Sequence, residues 1–132
     1  MEFHAKWIRT SEETGGVCPV FRKGWKTEKK VKRATLYLTA LGVYEAHLNG
    51  KRVGNYVLAP GWTAYDKRLQ YQEYDITDLV GKKNELTVTL GKGWFRSRCP
   101  DGRTHLTSCK EWGVREVFSE KCILYTWMEA KK

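Results

Sequence analysis

Apolar and polar positions alternate with a period of two along much of this chain. The pattern is clearest over residues 43–48, where Tyr44, Ala46 and Leu48 share one face and Val43, Glu45 and His47 the other. It returns over residues 85–90, with Leu86, Val88 and Leu90 inward and Thr87 and Thr89 outward. Successive side chains of a strand point to opposite sides of a sheet, so both segments are predicted to be half-buried strands. Enrichment in β-branched and aromatic residues predicts further strands over 34–38, 18–25 and 68–74, and a short opening strand over 3–8 with Trp7 and Ile8 packed at its end. Residues 123–128, Ile-Leu-Tyr-Thr-Trp-Met, read as one closing strand.

Turn chemistry separates these runs. Asn49-Gly50 lies between two alternating segments and predicts a two-residue hairpin, because both central residues of a type I′ turn need positive φ. Residues 39–42 allow a bend at Gly42, and Pro60 confines residues 59–62 to a loop or a strand edge. Residues 75–80 predict a single helical turn capped by Thr77, with Asp78 near its N-terminus. Gly81 to Asn84 reads as a loop, and Gly91 and Gly93 bracket Lys92 ahead of Trp94 and Phe95. Short strands with turns between them and almost no helical period indicate an all-β fold, an antiparallel β-sandwich. Residues 1–98 form the predicted sandwich; residues 99–132 are a divergent tail contributing one closing strand, so completion of the sandwich rests on that tail.

The chain has 132 residues, enough for one modest core. Its net charge of +9 sits in the flanks: residues 34–90 carry six basic and six acidic groups. The run from Arg22 to Arg33 holds seven basic groups against Glu28. Such a run reads as a nucleic-acid or anionic-surface patch, or as a solvated loop or edge strand; with no nucleic-acid motif beside it, the solvated loop or edge strand is expected. Cys18, Cys99, Cys109 and Cys122 form no CxxC pair and no zinc spacing. The first residues show no signal-peptide apolar region and no run is long enough to span a membrane, so a cytoplasmic chain with free thiols is expected.

Aromatic content is high at 13%. Flat rings in excess of core needs suit sugar stacking or protein contact. Trp62, Tyr65 and Asp66 are the leading candidate cluster: a ring against a sugar C–H face, with a carboxylate accepting from vicinal hydroxyls. For Trp62 itself, a plug at the sandwich end is the favoured reading. Trp94, Phe95 and Arg96 are candidates for the same end. The carboxylates Glu45, Asp66, Glu73, Asp75 and Asp78 each have a structural account better than a catalytic pair. His4, His47 and His105 lack ligand spacing, and His47 reads as a cross-strand surface residue. Asp75, Asp78 and carbonyls near Gly81 are the candidate oxygen ligands for calcium, without an EF-type loop.

The ordered set of pieces resembles the N-terminal β-sandwich domain of bacterial α-L-rhamnosidases, the family 78 glycoside hydrolases. The pieces are Ala5-Lys6-Trp7-Ile8, Leu36-Tyr37-Leu38-Thr39-Ala40-Leu41-Gly42-Val43-Tyr44-Glu45, Leu48-Asn49-Gly50-Lys51-Arg52-Val53-Gly54, Leu58-Ala59-Pro60-Gly61-Trp62-Thr63, Tyr71-Gln72-Glu73-Tyr74-Asp75-Ile76-Thr77-Asp78-Leu79 and Gly91-Lys92-Gly93-Trp94-Phe95-Arg96. The resemblance implies a galactose-binding-like jelly roll that precedes an α-helical barrel, where paired glutamates hydrolyse by inversion. It implies a non-catalytic role, as a module contacting L-rhamnose-containing carbohydrate, with calcium assisting in some relatives, or as a brace for the barrel. The barrel and its glutamates have no counterpart in these residues, so a fragment is expected. Trp94, Phe95 and Arg96 would then serve either the sugar end or the surface that meets the barrel. A sandwich with no ligand of its own, using Trp94, Phe95 and Trp112 as a contact face, is the alternative.

Overall fold

The computed structural model describes residues 8–9, 17–61, 67–91, 93 and 123–131; for 9 and 123–131 only the backbone is described. These residues form eight strands: β1 (Ile8–Arg9), β2 (Val20–Lys26), β3 (Arg33–Leu41), β4 (Val43–Leu48), β5 (Lys51–Arg52), β6 (Gln72–Asp75), β7 (Lys83–Gly91) and β8 (Ile123–Lys131). All pair antiparallel, in two four-stranded sheets ordered β1-β8-β3-β6 and β2-β7-β4-β5. The core between them takes Ala34, Leu36, Leu38, Ala40 and Tyr74 from the first sheet, Ile76 just beyond β6, and Tyr44, Ala46, Leu48, Leu86, Val88 and Leu90 from the second. The molecule is therefore an antiparallel β-sandwich. The inward faces of β4 and β7 are those that the alternation assigns. Among the described residues, no helix is long and apolar enough to cross a membrane.

The Asn49-Gly50 hairpin forms with φ of 52° and 80° and joins Leu48 to Lys51. The chain bends at Gly42, where it leaves the first sheet and enters the second. Several expectations need correction. β3 runs through Leu41 rather than ending at Leu38, and residues 34–41 are all buried, so the strand is covered on both faces. Tyr71 accounts for part of the second cover, its ring centroid 6.4 Å from that of Tyr37. β6 begins at Gln72 instead of Arg68: the Gln70 carbonyl accepts the Thr39 hydroxyl at 2.6 Å, a side-chain contact in place of a ladder bond. Ile8 is 41% exposed, not packed at the end; Trp7 lies outside the described residues. β8 occupies an interior position between β1 and β3 and extends to Lys131.

Thr77 does not cap the helical turn. It is the first residue of a 3-10 turn, Thr77–Leu79, whose N-cap position, Ile76, offers no side-chain bond. The Thr77 hydroxyl instead accepts the Ala34 amide at 3.0 Å, tying the turn to β3. Asp75 supplies the acceptor for the Thr77 amide, and its carboxyl is held below the usual range by the Thr77 hydroxyl and amide.

Candidate functional site

All five residues proposed for sugar contact, Trp62, Tyr65, Asp66, Trp94 and Arg96, lie outside the described residues. So do Phe95, Trp112, His4 and His105. The structure does place the stems from which the two candidate segments depart. Both stand at the start of β4. Ala59 forms a bridge with Tyr44, whose amide donates to the Ala59 carbonyl at 2.8 Å. Gly61 donates to the Leu58 carbonyl at 3.0 Å, closing a turn that ends at the residue before Trp62. On the second side, Gly93 lies against Gly42 and Val43. A Cβ there would meet Val43 Cγ1 at 2.9 Å and the Gly42 carbonyl carbon at 3.0 Å, and φ is +51°. Close approach and positive φ together require glycine at this position.

A hydrogen-bonded relay fixes the first stem. Tyr44 donates its hydroxyl to Gln72 Oε1 at 2.8 Å, and the Tyr44 and Tyr74 hydroxyls lie 2.9 Å apart. Gln72 Nε2 donates to the Pro60 carbonyl at 3.2 Å. With Tyr74 donating to Tyr44, every member has one consistent role, and the chain runs from the core to the Pro60 backbone. The Ala59–Pro60 peptide is cis. The far stem approaches too: Gln70 Oε1 lies 3.1 Å from where a Gly61 Cβ would stand. Sequence reading missed Gln72 and Gln70. The signal for Gln72 was present, since it lies two residues before Tyr74 and so shares its face.

Burial drives the Tyr44 hydroxyl far above the ordinary tyrosine range, with the bond to Tyr74 adding to the shift, and burial raises Tyr74 as well. The folded state holds these protons more tightly than the unfolded chain, whose tyrosines ionise near pH ~10. The stability contributed by the neutral pair is complete below that pH and is lost as pH rises above it, at up to about 1.4 kcal/mol per pH unit for Tyr44. Thermal unfolding of Tyr44→Phe should start about 1–2 kcal/mol weaker at neutral pH, since its partners lose a bond, yet decline less steeply than wild type above pH ~10. Parallel declines would contradict the shift.

The remaining sequence candidates have other engagements. Glu45 on the outer face of β4 lies 3.4 Å from His47 and 3.7 Å from Arg52. Glu73 is exposed on β6. Of the oxygens considered for calcium, Asp75 Oδ1 receives the Thr77 amide and hydroxyl, and the Gly81 carbonyl receives Asn84 Nδ2 at 2.9 Å. Both of these oxygens already accept hydrogen bonds within the chain.

Comparison with known proteins gives a consistent result. Residues 29–120 match the family model of the α-L-rhamnosidase N-terminal domain. The chain is 60% identical over 68 residues to an α-L-rhamnosidase of Streptomyces avermitilis, covering 51% of this chain and 7% of that protein. It is 35% identical over 112 residues to an α-L-rhamnosidase of an Alteromonas species, covering 76% and 12%. Among solved structures, native α-L-rhamnosidase from Aspergillus terreus superposes with a TM-score of 0.80 at 34% identity, over 98% of this chain and 14% of that one. The Streptomyces avermitilis enzyme complexed with L-rhamnose gives a TM-score of 0.71 at 40% identity, over 85% and 10%. The chain thus spans 7% and 12% of the length of these two curated relatives.

Proposed function

Because this chain belongs to the family of α-L-rhamnosidase N-terminal domains, we propose that it is the non-catalytic accessory domain of an α-L-rhamnosidase-like glycoside hydrolase and contacts L-rhamnosyl groups at the end of the sandwich where β3 passes into β4. The observation that carries this reading is the convergence of two stems, Gly61 beside Tyr44 and Gly93 beside Val43, which lead into Trp62, Tyr65, Asp66 and into Trp94, Arg96. A stem held by a buried relay limits the entropy lost on binding a sugar. That a similar protein has been solved with L-rhamnose supports the choice of sugar. In the whole protein a catalytic helical barrel would supply the hydrolytic carboxylates, and this domain would present the substrate to it.

One observation favours a second role, bracing that barrel. Tyr56, Val57 and Leu58 are consecutive, apolar and exposed, Val57 to 77%. They are held in place, since Arg52 donates to the Tyr56 carbonyl at 2.9 Å and the Tyr56 ring packs edgewise on Tyr74. Rigid exposed apolar groups mark contact surfaces.

Titration calorimetry of the full chain with L-rhamnose should give weak, saturable heat, reduced about ten-fold in affinity, or about 1.4 kcal/mol, by Trp62→Ala or Asp66→Asn. No heat at millimolar sugar, with or without calcium, would overturn sugar contact and leave bracing as the function.

A further inference from the structure

The opposite end of the sandwich carries a different surface. There β2 ends, β7 begins, and the connection from β2 to β3 crosses between sheets. Lys26 and Lys83 are direct partners across the β2–β7 ladder. Both point to the outer face, since Trp25 and Asn84 beside them turn inward. Like charges placed directly opposite destabilise a sheet. Lys82 precedes this pair, and Lys29, Lys30 and Lys32 follow it on the connection. All six side chains are exposed, and among the described residues none makes an ion pair or hydrogen bond.

The lysines stand on a fixed platform. Thr27 donates its amide to the Lys82 carbonyl at 2.8 Å, and Asn84 Nδ2 donates to the Thr27 hydroxyl at 3.0 Å, binding the two lysine-bearing segments together. Val31 packs against the core between Lys30 and Lys32. The acidic groups nearby are few. Among the described residues, Glu85 pairs with Arg22 at 2.6 Å, Asp75 is engaged by Thr77 and faces Arg33, Glu28 and Asp78 are exposed, and the β8 backbone places Glu129 opposite Thr35. Among the described residues, basic groups therefore outnumber acidic ones at this end.

We propose that this lysine pole binds an anionic polysaccharide, a glycan chain bearing carboxylate or sulfate groups. The choice of a glycan rests on the carbohydrate-contact reading above. The chemistry of the pole favours it over nucleic acid. All six groups are lysines, compact hydrated point charges without the fork that arginine offers to phosphate or to guanine. Among the described residues, Trp25 beside Lys26 is half-buried against the core and offers no open platform on which a base could stack. The strands between the two ends span up to nine residues, roughly 30 Å. A charged glycan several sugars long would reach from the pole to the opposite end, where its rhamnosyl units would lie.

The test is binding of the full chain to polygalacturonate, to dextran sulfate and to duplex DNA, each at about 20 mM and 200 mM salt. The triple variant Lys29→Glu, Lys30→Glu, Lys82→Glu is compared with wild type. The proposal expects binding to polygalacturonate or dextran sulfate at low salt, with the preferred polymer identifying carboxylate or sulfate. It expects a loss of about ten-fold or more at high salt and a similar loss in the variant. Absent binding to both glycans, equal binding by the variant, or tighter binding to DNA each overturns it. L-rhamnose titration of the same variant separates the two claims. Heat with L-rhamnose but no affinity for the charged polymers removes only the pole; no heat with L-rhamnose removes the sugar end whatever the polymers do.

Discussion

Replacing Asn84 by alanine should lower the stability of the chain by about 2–4 kcal/mol, read as a shift in the urea midpoint at unchanged slope. Asn84 is only 5% exposed and uses both ends of its amide. Its Oδ1 accepts Asn49 Nδ2 at 3.0 Å and the Gly81 amide at 2.8 Å. Its Nδ2 donates to Thr27 Oγ1 at 3.0 Å and the Gly81 carbonyl at 2.9 Å. Asn49 continues the network, donating to the Leu79 carbonyl at 2.8 Å and accepting the Glu85 amide at 2.9 Å. One buried side chain thus joins the end of β2, the loop before β7, the β4–β5 hairpin and the 3-10 turn. A satisfied buried network stabilises, whereas removing one member strands its partners. Asn84→Asp should cost nearly as much, because a carboxylate keeps both acceptor contacts but faces the Gly81 carbonyl with no proton to give. Asn49→Ala should cost less, since Asn49 is exposed and water can replace it. A loss below about 1 kcal/mol for Asn84→Ala would show that the network closes without its centre.

The second large effect is expected at Gly54. Its φ is +69°, and a Cβ there would lie 2.4 Å and 2.7 Å from two carbons of the Tyr74 ring. The ring cannot simply yield, because its hydroxyl is bonded to Tyr44 and its edge meets Tyr56 at 6.0 Å between centroids. Gly54→Ala combines a left-handed backbone cost of about 1–2 kcal/mol with overpacking of about 1–3 kcal/mol. A loss of roughly 2–5 kcal/mol is expected by thermal or chemical unfolding. Displacing Tyr74 also disturbs the relay to Pro60, so affinity for L-rhamnose should fall with stability. Adding Tyr74→Leu should recover part of the loss, making the double variant less than additive. Strict additivity would mean that Gly54 and Tyr74 do not act on each other.

The sandwich was legible wherever one strand face is buried and the other wet. β4 and β7 show that alternation plainly, and the Asn49-Gly50 turn declares itself through its demand for positive φ. β3 was legible as a strand but not in its extent, because burial on both faces leaves no alternation to read. The interior position of β8 was invisible, since pairing of Leu41 with Ile123 is a contact between distant segments. Asn84 looked like an ordinary loop residue for the same reason: its partner Thr27 is 57 positions away. At the candidate site, the glycines flanking Trp62 and Trp94 were visible, whereas their convergence on Val43 and Tyr44 depends on how the two sheets meet. Trp62, Tyr65, Asp66, Trp94 and Arg96 themselves remain proposals resting on that convergence.

Backbone amide NMR of the full chain during titration with L-rhamnose addresses that convergence directly. Sugar contact at the β3–β4 end predicts saturable shifts clustered at Val43, Tyr44, Leu58, Gly61, Gln70 and Gly93, with Asn49, Gly81, Lys83 and Asn84 at the opposite end unmoved. Shifts confined to the opposite end, or none at millimolar sugar with or without calcium, would contradict the account.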